Sequence, residues 1–251
     1  MRIDLSGKNV LVTGGTRGIG SAISLALAEA GAHVAVHGNR SMEEAAALQK
    51  RYPNVSLFKA DLNQPLEVED LFNKVTADLG SLDVLINNAG IAIDSNWEKD
   101  LGEWTSEWDI TMSVNLRSTA ILCKLAMEHF KTRGGGIIIN IASRAAFRGD
   151  TMSYLAYAAS KGGMVALTRS IARGMGKQGI TAFTVAPGFT RTAMAEQFIE
   201  QYGESYAASD IALKEMTRPE DIAPFIVFLS SGNAAHATGG TFDFNAGSYV
   251  H

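Results

Sequence analysis

Tyr157 and Lys161 stand four residues apart, and this pair could carry out acid–base chemistry. The segment around them has a helical pattern, in which residues four apart lie on one face. A free phenol has a pKa near 10, and a neighbouring ammonium group would favour the phenolate. The pair alone is weak evidence, because the spacing also arises by chance. Ser143 comes fourteen residues earlier, just after a strand-like segment, and Asn115 lies in a long helical segment.

A glycine-rich segment directly follows the first strand-like segment. It reads Thr13-Gly14-Gly15-Thr16-Arg17-Gly18-Ile19-Gly20, with the spacing G-x-x-x-G-x-G. Glycines permit a tight turn and let backbone N–H groups approach a pyrophosphate, and the following helix directs its positive N-terminus at the same anion. A strand-to-helix turn uses glycine in any case, but the placement favours a dinucleotide site.

The residues after the second strand indicate which dinucleotide binds. About 20 residues beyond such a loop, an acidic side chain would hold the ribose 2′-hydroxyl of NAD. Here the segment reads His37-Gly38-Asn39-Arg40-Ser41, which has no acid. Arg40 and Arg17 could face a 2′-phosphate, and Asn39 and Ser41 could donate hydrogen bonds to it. Arg40 could equally be a solvated loop charge, but the missing acid favours NADP(H) over NAD(H).

Short apolar strand-like runs alternate with helical segments along the whole chain. Such alternation predicts right-handed βαβ units and an α/β fold, a Rossmann-type doubly wound parallel sheet of about seven strands with helices on both faces. Residues 1–251 are expected to form a single domain, with a substrate lid over 192–215. Ligands of such sheets bind beyond the carboxyl ends of the strands. The predicted strands are 9–13, 32–36, 55–58, 82–86, 136–141, 182–185 and 241–244, and the predicted helices are 18–30, 42–51, 65–79, one long helix within 103–132, 154–174 and one beginning near 219.

The composition excludes several classes of protein. Hydrophobic residues make up 46% and charged residues 19%, with a net charge of −4. This balance argues against intrinsic disorder and against nucleic acid as a partner. The single cysteine, Cys123, excludes an intrachain disulfide, and the five histidines lack metal-ligand spacing, so no metal is expected. No apolar stretch reaches the ~20 residues of a membrane span, and no signal peptide is visible, so the expected compartment is the cytoplasm.

The chain resembles the classical short-chain dehydrogenase/reductase family over essentially its whole length, with a general pattern closest to 3-oxoacyl-(acyl-carrier-protein) reductases. Singly the shared motifs are modest, but their order and spacing are specific. They are the loop 13–20, Asp61-Leu62, Asn87-Asn88-Ala89-Gly90, Val114-Asn115-Leu116, Ser143, Tyr157 with Lys161, Pro187-Gly188 with Thr192, and Arg218-Pro219-Glu220-Asp221-Ile222-Ala223.

The resemblance implies a catalytic role for four residues. Tyr157 would be the general acid in reduction and the base in oxidation, and Lys161 would lower its pKa and bind the nicotinamide ribose. Ser143 would hold the substrate oxygen, and Asn115 would position a water that links Lys161 to solvent. Asn115 could instead be a helix-kinking residue with a purely structural role.

The resemblance also implies a set of cofactor contacts. Asp61 and Leu62 would flank the adenine, and the segment 87–90 would line the cleft and stabilise the central sheet. Thr192 would lie near the carboxamide. The full cofactor-binding set is Gly14, Thr16, Arg17, Gly18, Ile19, Gly20, Asn39, Arg40, Ser41, Asp61, Leu62, Asn87, Ala89, Gly90, Tyr157, Lys161, Pro187, Gly188, Thr190 and Thr192.

The sequence departs from the family in the loop after Ser143 and in the tail. The loop carries one extra residue and two arginines, Arg144 and Arg148, which could bind an anionic substrate, remain solvated or meet another subunit. The usual acidic-glycine-glycine ending is replaced by residues 245–251.

In the lid, Met194, Phe198, Tyr202 and Tyr206 could face an apolar substrate or simply pack. Trp97, Trp104 and Trp108 are expected to be core or interface anchors rather than substrate contacts.

These features predict an NADP(H)-dependent oxidoreductase that transfers hydride between the nicotinamide and a carbonyl or secondary alcohol, with a ketone or 3-oxoacyl thioester as substrate. One alternative is an NAD(P)-dependent dehydrogenase of a sugar, polyol or other secondary alcohol. Another is a nucleotide-sensing or scaffold protein without turnover. Family members are usually tetramers, so a homotetramer is expected.

Overall fold

The computed structural model describes residues 3–40, 42–193, 195 and 210–250, apart from the side chain of residue 44. Its seven-stranded sheet is parallel throughout, in the order β3-β2-β1-β4-β5-β6-β7. The predicted doubly wound α/β fold is therefore confirmed. The strands are β1 (Asn9–Thr13), β2 (His33–Gly38), β3 (Val55–Lys59), β4 (Val84–Asn87), β5 (Gly136–Ile141), β6 (Ile180–Pro187) and β7 (Thr241–Phe244).

Helices cover both faces of the sheet. The predicted long helix within 103–132 is corrected in two ways: it begins at Leu101, where Asp100 accepts hydrogen bonds from two first-turn N–H groups, and a π-helical turn interrupts it. The helices are α1 (Gly18–Glu29), α2 (Glu43–Arg51), α3 (Pro65–Leu79), α4 (Leu101–Met112), the π-helical turn Ser113–Arg117, α5 (Ser118–Arg133), the short α6 (Ala145–Arg148), α7 (Leu155–Met175) and α8 (Pro219–Ser230). No helix among the described residues is long and apolar enough to cross a membrane.

Two apolar layers enclose the sheet. Successive residues of a strand point to opposite faces, so Val10 and Val12 pack into one layer and Leu11 into the other. The first layer includes residues of α1 and α8, and the second includes residues of α3, α5 and α7. Burial on both faces explains the near-continuous apolar character of the strands.

In the tail, residues 245–251, one alanine has a left-handed backbone conformation. Ala246 has a φ of +53°, and its carbonyl accepts hydrogen bonds from the N–H groups of Ala212 (2.8 Å) and Leu213 (3.2 Å). The tail turn is thus bonded to the C-terminal end of the predicted lid. Side chains with a Cβ are strained in this conformation.

Ala246→Gly is expected to raise the free energy of unfolding by about 0.5–1 kcal/mol, because glycine adopts a positive φ without steric cost. Chemical denaturation would measure the change. Gly247→Ala is the matched control with the opposite sign, since Gly247 has a φ of +77° and an added Cβ would lie 2.7 Å from the Ala212 Cβ. A less stable Ala246→Gly variant would contradict the assignment of strain to Ala246.

Candidate active site

The crevice of the fold lies where β1 and β4 run side by side and their following chains separate. Thr13 and Asn87 are paired across these two strands. The Thr13 hydroxyl oxygen accepts hydrogen bonds from the N–H groups of Asn88 and Ala89, both at 3.1 Å. The Asn88 amide in turn donates to the carbonyls of Thr13 (3.0 Å) and Gly14 (2.9 Å). These hydrogen bonds join the carboxyl end of β1 to the segment that follows β4.

The glycine-rich loop packs against these strand ends, and two of its glycines leave no room for a side chain. A Cβ on Gly14 would lie 2.8 Å from the Ala89 Cα, and Gly14 also has a φ of +60°. A Cβ on Gly20 would lie 2.1 Å from the Gly14 carbonyl oxygen. The first-turn N–H groups of α1 have no intrahelical partner, and the N-cap residue Arg17 makes no side-chain cap. The loop and the helix end together are suited to bind a pyrophosphate.

One basic side chain lies in the loop and another follows β2. Arg17 and Arg40 are both exposed, as is Asn39, so each is accessible to a cofactor phosphate. Ser41, the fourth residue predicted at this position, lies outside the described residues. The described part of the segment after β2 contains no carboxylate, as the sequence indicated.

Ser143, Tyr157 and Lys161 come together at the carboxyl end of β5. Tyr157 and Ser143 are hydrogen-bonded through their side chains. Lys161 is only 3% exposed, and its ammonium group donates to the carbonyl of Ile141 (2.8 Å), the last residue of β5. Its Nζ lies 5.7 Å from the centroid of the Tyr157 ring. The predicted helical face thus directs both side chains at the strand end that precedes Ser143.

Burial governs the protonation of this group. Burial raises the pKa of Tyr157 above its usual value near 10, although the hydrogen bond with Ser143 opposes the shift. Burial also lowers the pKa of Lys161 to about 8. The effect of Lys161 on the pKa of Tyr157 stays a prediction; in the structure, desolvation of the phenolate is the largest influence on that pKa. Tyr157 is therefore a protonated phenol at neutral pH, the form required of an acid.

Asn115 is fixed by the π-helical turn. Its Oδ1 accepts from the N–H of Ile91 (2.8 Å), and its Nδ2 donates to the Ile91 carbonyl (2.9 Å) and to the Ser160 hydroxyl (3.0 Å). A Cβ on Gly90 would lie 3.3 Å from Lys161 Nζ and 3.5 Å from Asn115 Oδ1, so glycine admits both groups. Asn115 thus connects the segment after β4 to α7.

Sequence reasoning missed Ser160 and His37. Ser160 is fully buried and donates to the Tyr157 carbonyl (2.7 Å) while it accepts from Asn115, so it joins the two motifs. Its position directly before Lys161 was the available signal. His37 is buried at the end of β2 and bonds to the glycine-rich loop, a contact that no local pattern predicts.

Several predicted cofactor residues lie around the crevice, but two have core side chains. Asn87 is buried in the sheet, where it donates to Asn140 (2.8 Å), and Leu62 packs in the second apolar layer. Asp61 is partly exposed after β3. Thr192 lies against the glycine-rich loop, 3.3 Å from where a Cβ of Gly18 would stand. The remaining members lie at or beyond the carboxyl ends of β1, β4 and β6 or at the start of α1: Thr16, Ile19, Ala89, Gly90, Pro187, Gly188 and Thr190.

The two loop arginines have a partner that the sequence did not predict. Arg144 and Arg148 both form ion pairs with Asp210, and Arg144 also stacks on the Phe189 ring at 4.7 Å. Arg144 is only 8% exposed. The arginines therefore join the loop after Ser143 to the C-terminal part of the predicted lid. The lid positions Met194, Phe198, Tyr202 and Tyr206 lie outside the described residues.

The remaining candidate groups are the three tryptophans and possible metal ligands. Trp104 and Trp108 stack with ring centroids 5.0 Å apart on α4, whereas Trp97 is 60% exposed and is not a core residue. Within the described ranges, no group of three or more His, Cys, Asp or Glu side chains could hold a metal ion.

Comparison with known proteins gives the same family throughout. A family model described as enoyl-(acyl carrier protein) reductase matches residues 14–248. The chain is 34% identical to a 3-oxoacyl-(acyl-carrier-protein) reductase of Vibrio cholerae, covering 99% of this chain and 100% of the relative. It is also 34% identical to an acetoacetyl-CoA reductase of Rhizobium meliloti, covering 95% and 97%. A solved structure of a candidate short-chain alcohol dehydrogenase from Sinorhizobium meliloti 1021 superposes with a TM-score of 0.90 at 32% identity, covering 99% of this chain and 98% of the other.

The motifs, the fold and these relatives agree. The chain belongs to the classical short-chain dehydrogenase/reductase family, similar to the 3-oxoacyl-(acyl-carrier-protein) reductases, and is an oxidoreductase of CH–OH and oxo groups that uses a nicotinamide cofactor.

Proposed function

We propose that this protein reduces a ketone or 3-oxoacyl thioester with NADPH. The observation that carries the proposal is the Ser143–Tyr157–Lys161 group at the carboxyl end of β5, in which Lys161 is buried, Ser143 and Tyr157 are half-buried, and Tyr157 is held as a protonated phenol. The names of the relatives, a 3-oxoacyl-(acyl-carrier-protein) reductase and an acetoacetyl-CoA reductase, support a 3-oxo substrate.

The residues of the crevice fit a nicotinamide dinucleotide. At Gly14 and Gly20 any Cβ would collide with neighbouring backbone, so only glycine fits there. The N-terminus of α1, which has no side-chain cap, adjoins this loop. The residues that would hold the cofactor are those of the predicted set, with Arg17, Asn39, Arg40 and Ser41 at the 2′-phosphate and Thr190 and Thr192 at the nicotinamide end. When bound, the cofactor supplies the hydride. Lys161 would bind the nicotinamide ribose through its ammonium group.

The protein's side chains would supply the proton and stabilise the charges that develop during its transfer. Tyr157 would donate its phenolic proton to the carbonyl oxygen as charge develops there, and Ser143 would stabilise that oxygen by a hydrogen bond. Lys161 would stabilise the phenolate that remains, because desolvation disfavours an unpaired negative charge. Asn115 and Ser160 keep the catalytic helix in register with the segment after β4, and Asn115 would position the water that links Lys161 to solvent.

A substrate panel tests the reaction. The experiment follows NADPH absorbance with ketones and with 3-oxoacyl thioesters, and follows NADP⁺ reduction with sugars, polyols and other secondary alcohols. We expect turnover of an oxo substrate. Turnover confined to sugars or polyols would favour the dehydrogenase alternative. Cofactor binding without turnover across the panel would favour a nucleotide sensor and refute the enzyme proposal.

The cofactor preference rests on Arg40, and we propose NADP(H) over NAD(H). Arg40→Ala is expected to lower kcat/KM for NADPH by roughly ten- to a hundredfold and to leave that for NADH nearly unchanged, since a charged hydrogen bond to phosphate is worth about 1.5–3 kcal/mol. Lys50→Ala removes another exposed positive charge, at the far end of α2, and serves as the control. A wild-type preference for NADH would overturn the proposal.

We also propose a homotetramer located in the cytoplasm. Family expectation and the exposed Trp97 and Leu101 on and before α4 support assembly. Light scattering should give four times the 26.8 kDa of one chain, and a monomeric mass would refute the assembly. Cell fractionation tests the compartment.

A further inference from the structure

His37 connects three parts of the crevice at the end of β2. Its Nδ1 lies 3.2 Å from the N–H of Gly14, and its Nε2 lies 3.1 Å from the carbonyl oxygen of Ala60. Its own carbonyl accepts from the N–H of Gly15 at 2.9 Å. One residue therefore holds two consecutive N–H groups of the glycine-rich loop and the residue before Asp61.

The partners of the imidazole define its protonation. A backbone N–H can only donate, so Nδ1 must accept and carries no proton. A carbonyl oxygen can only accept, so Nε2 must carry the proton. The ring is thus the neutral Nε2–H tautomer with both nitrogens satisfied. It is 2% exposed, so water cannot replace either partner.

A proton on Nδ1 would set an N–H of His37 against the N–H of Gly14. The loop cannot move away in the opposite direction, because the Gly14 backbone already lies against Ala89 on the β4 side. Protonation must therefore displace the loop or the ring, and with either one the N–H groups that face the pyrophosphate.

The surroundings of the ring leave burial as the dominant influence. Burial lowers the pKa of His37, and the hydrogen bond with Ala60 opposes the shift. Four charged groups on adjoining elements are exposed: Lys59 at the end of β3, Arg40 after β2, Glu43 on α2 and Arg17 before α1. Asp61, beyond β3, is partly exposed. β1 contributes no titratable side chain beside the ring.

We propose that His37 is a positioning residue that keeps the glycine-rich loop in its cofactor-binding form only while the imidazole is neutral. The proposal rests on the proposed use of a nicotinamide dinucleotide and adds a pH dependence to that binding. Cofactor affinity is expected to fall in acid because the proton and the cofactor favour different positions of the loop. Binding free energy and proton uptake are linked, so the loss approaches tenfold per pH unit below the pKa of His37.

The test is NADP⁺ titration by calorimetry from pH 5 to 8 at constant ionic strength. His37→Asn keeps an acceptor and a donor but does not titrate, and His37→Phe keeps a ring without either. We expect near-wild-type affinity at pH 7.5 for His37→Asn, about tenfold weaker binding at every pH for His37→Phe, and a steep acid loss in the wild type alone. Titration of the 2′-phosphate is common to all proteins and cancels between them.

His33→Asn is the matched control, since His33 is exposed at the opposite end of β2. The wild type and His33→Asn should share one pH profile. Parallel profiles for the wild type and His37→Asn would overturn the proposal. No binding of NADP⁺ or NAD⁺ by the wild type at pH 7.5 would overturn the proposed function and the role of His37 with it.

A measurement on the wild type covers the case in which the variants do not fold. Nitrogen-15 shifts of the histidine rings report the tautomer and the pKa. His37 should show an unprotonated Nδ1 and a lower pKa with NADP⁺ than without it. An equal pKa in the two states would overturn the proposal.

Discussion

Tyr157→Phe is expected to abolish turnover and leave cofactor binding intact. The substitution removes one oxygen, the hydrogen-bond partner of Ser143, and keeps the ring over which Lys161 lies. Loss of a positioned acid lowers rates by about 10²–10⁴-fold. Steady-state kinetics with the best oxo substrate would measure the loss, and calorimetry with NADP⁺ would measure binding.

The matched control is Tyr52→Phe, which removes a phenol hydroxyl that bonds to Glu29 on the protein surface. It should leave kcat and the cofactor affinity unchanged. Substantial residual turnover in Tyr157→Phe would mean that another group supplies the proton. Loss of NADP⁺ binding would mean that the phenol has a structural role instead.

Much of the sheet could be predicted because its strands are buried on both faces. The bounds of β1, β5 and β7 agree with the prediction, and those of the other four strands differ by one or two residues at one or both ends. The sequence offered Asn115 as a helix-kinking residue, and the long helix is interrupted there, at Ser113–Arg117. The hydrogen bonds between Asn115 and Ile91, 24 residues earlier, could not be predicted, because no helical periodicity contains them.

In the site, likewise, the positions of the motif residues could be predicted, but the influence of their surroundings could not. Tyr157, Lys161 and Ser143 lie together because their positions on α7 and after β5 follow from the order of the elements. The direction of the Tyr157 pKa could not be predicted, since it depends on how deeply the packed chain buries the phenol. The pairing of Arg144 and Arg148 with Asp210 joins residues more than 60 positions apart, so the sequence left their partner open.

Lys161→Met is expected to abolish turnover and to stabilise the protein. Burial lowers the pKa of Lys161 from 10.5 to about 8, so holding its charge in the folded state costs about 3 kcal/mol at neutral pH. Methionine has a similar length and no charge, and it gives up only the hydrogen bond to the Ile141 carbonyl. We therefore expect a gain of about 1–3 kcal/mol in the free energy of unfolding, measured by denaturation at pH 7.

The pH dependence of this gain separates a buried charge from better packing. Between about pH 8 and 10.5 the unfolded chain holds a proton on Lys161 that the folded chain has lost, so wild-type stability rises with pH in this window. The advantage of Lys161→Met should be largest below pH 8 and should vanish near pH 10.5. Lys177→Met, at an exposed lysine after α7, should show no such trend. A pH-independent gain would assign the stabilisation to packing, and a less stable variant would show that the charged hydrogen bond outweighs the cost of burial.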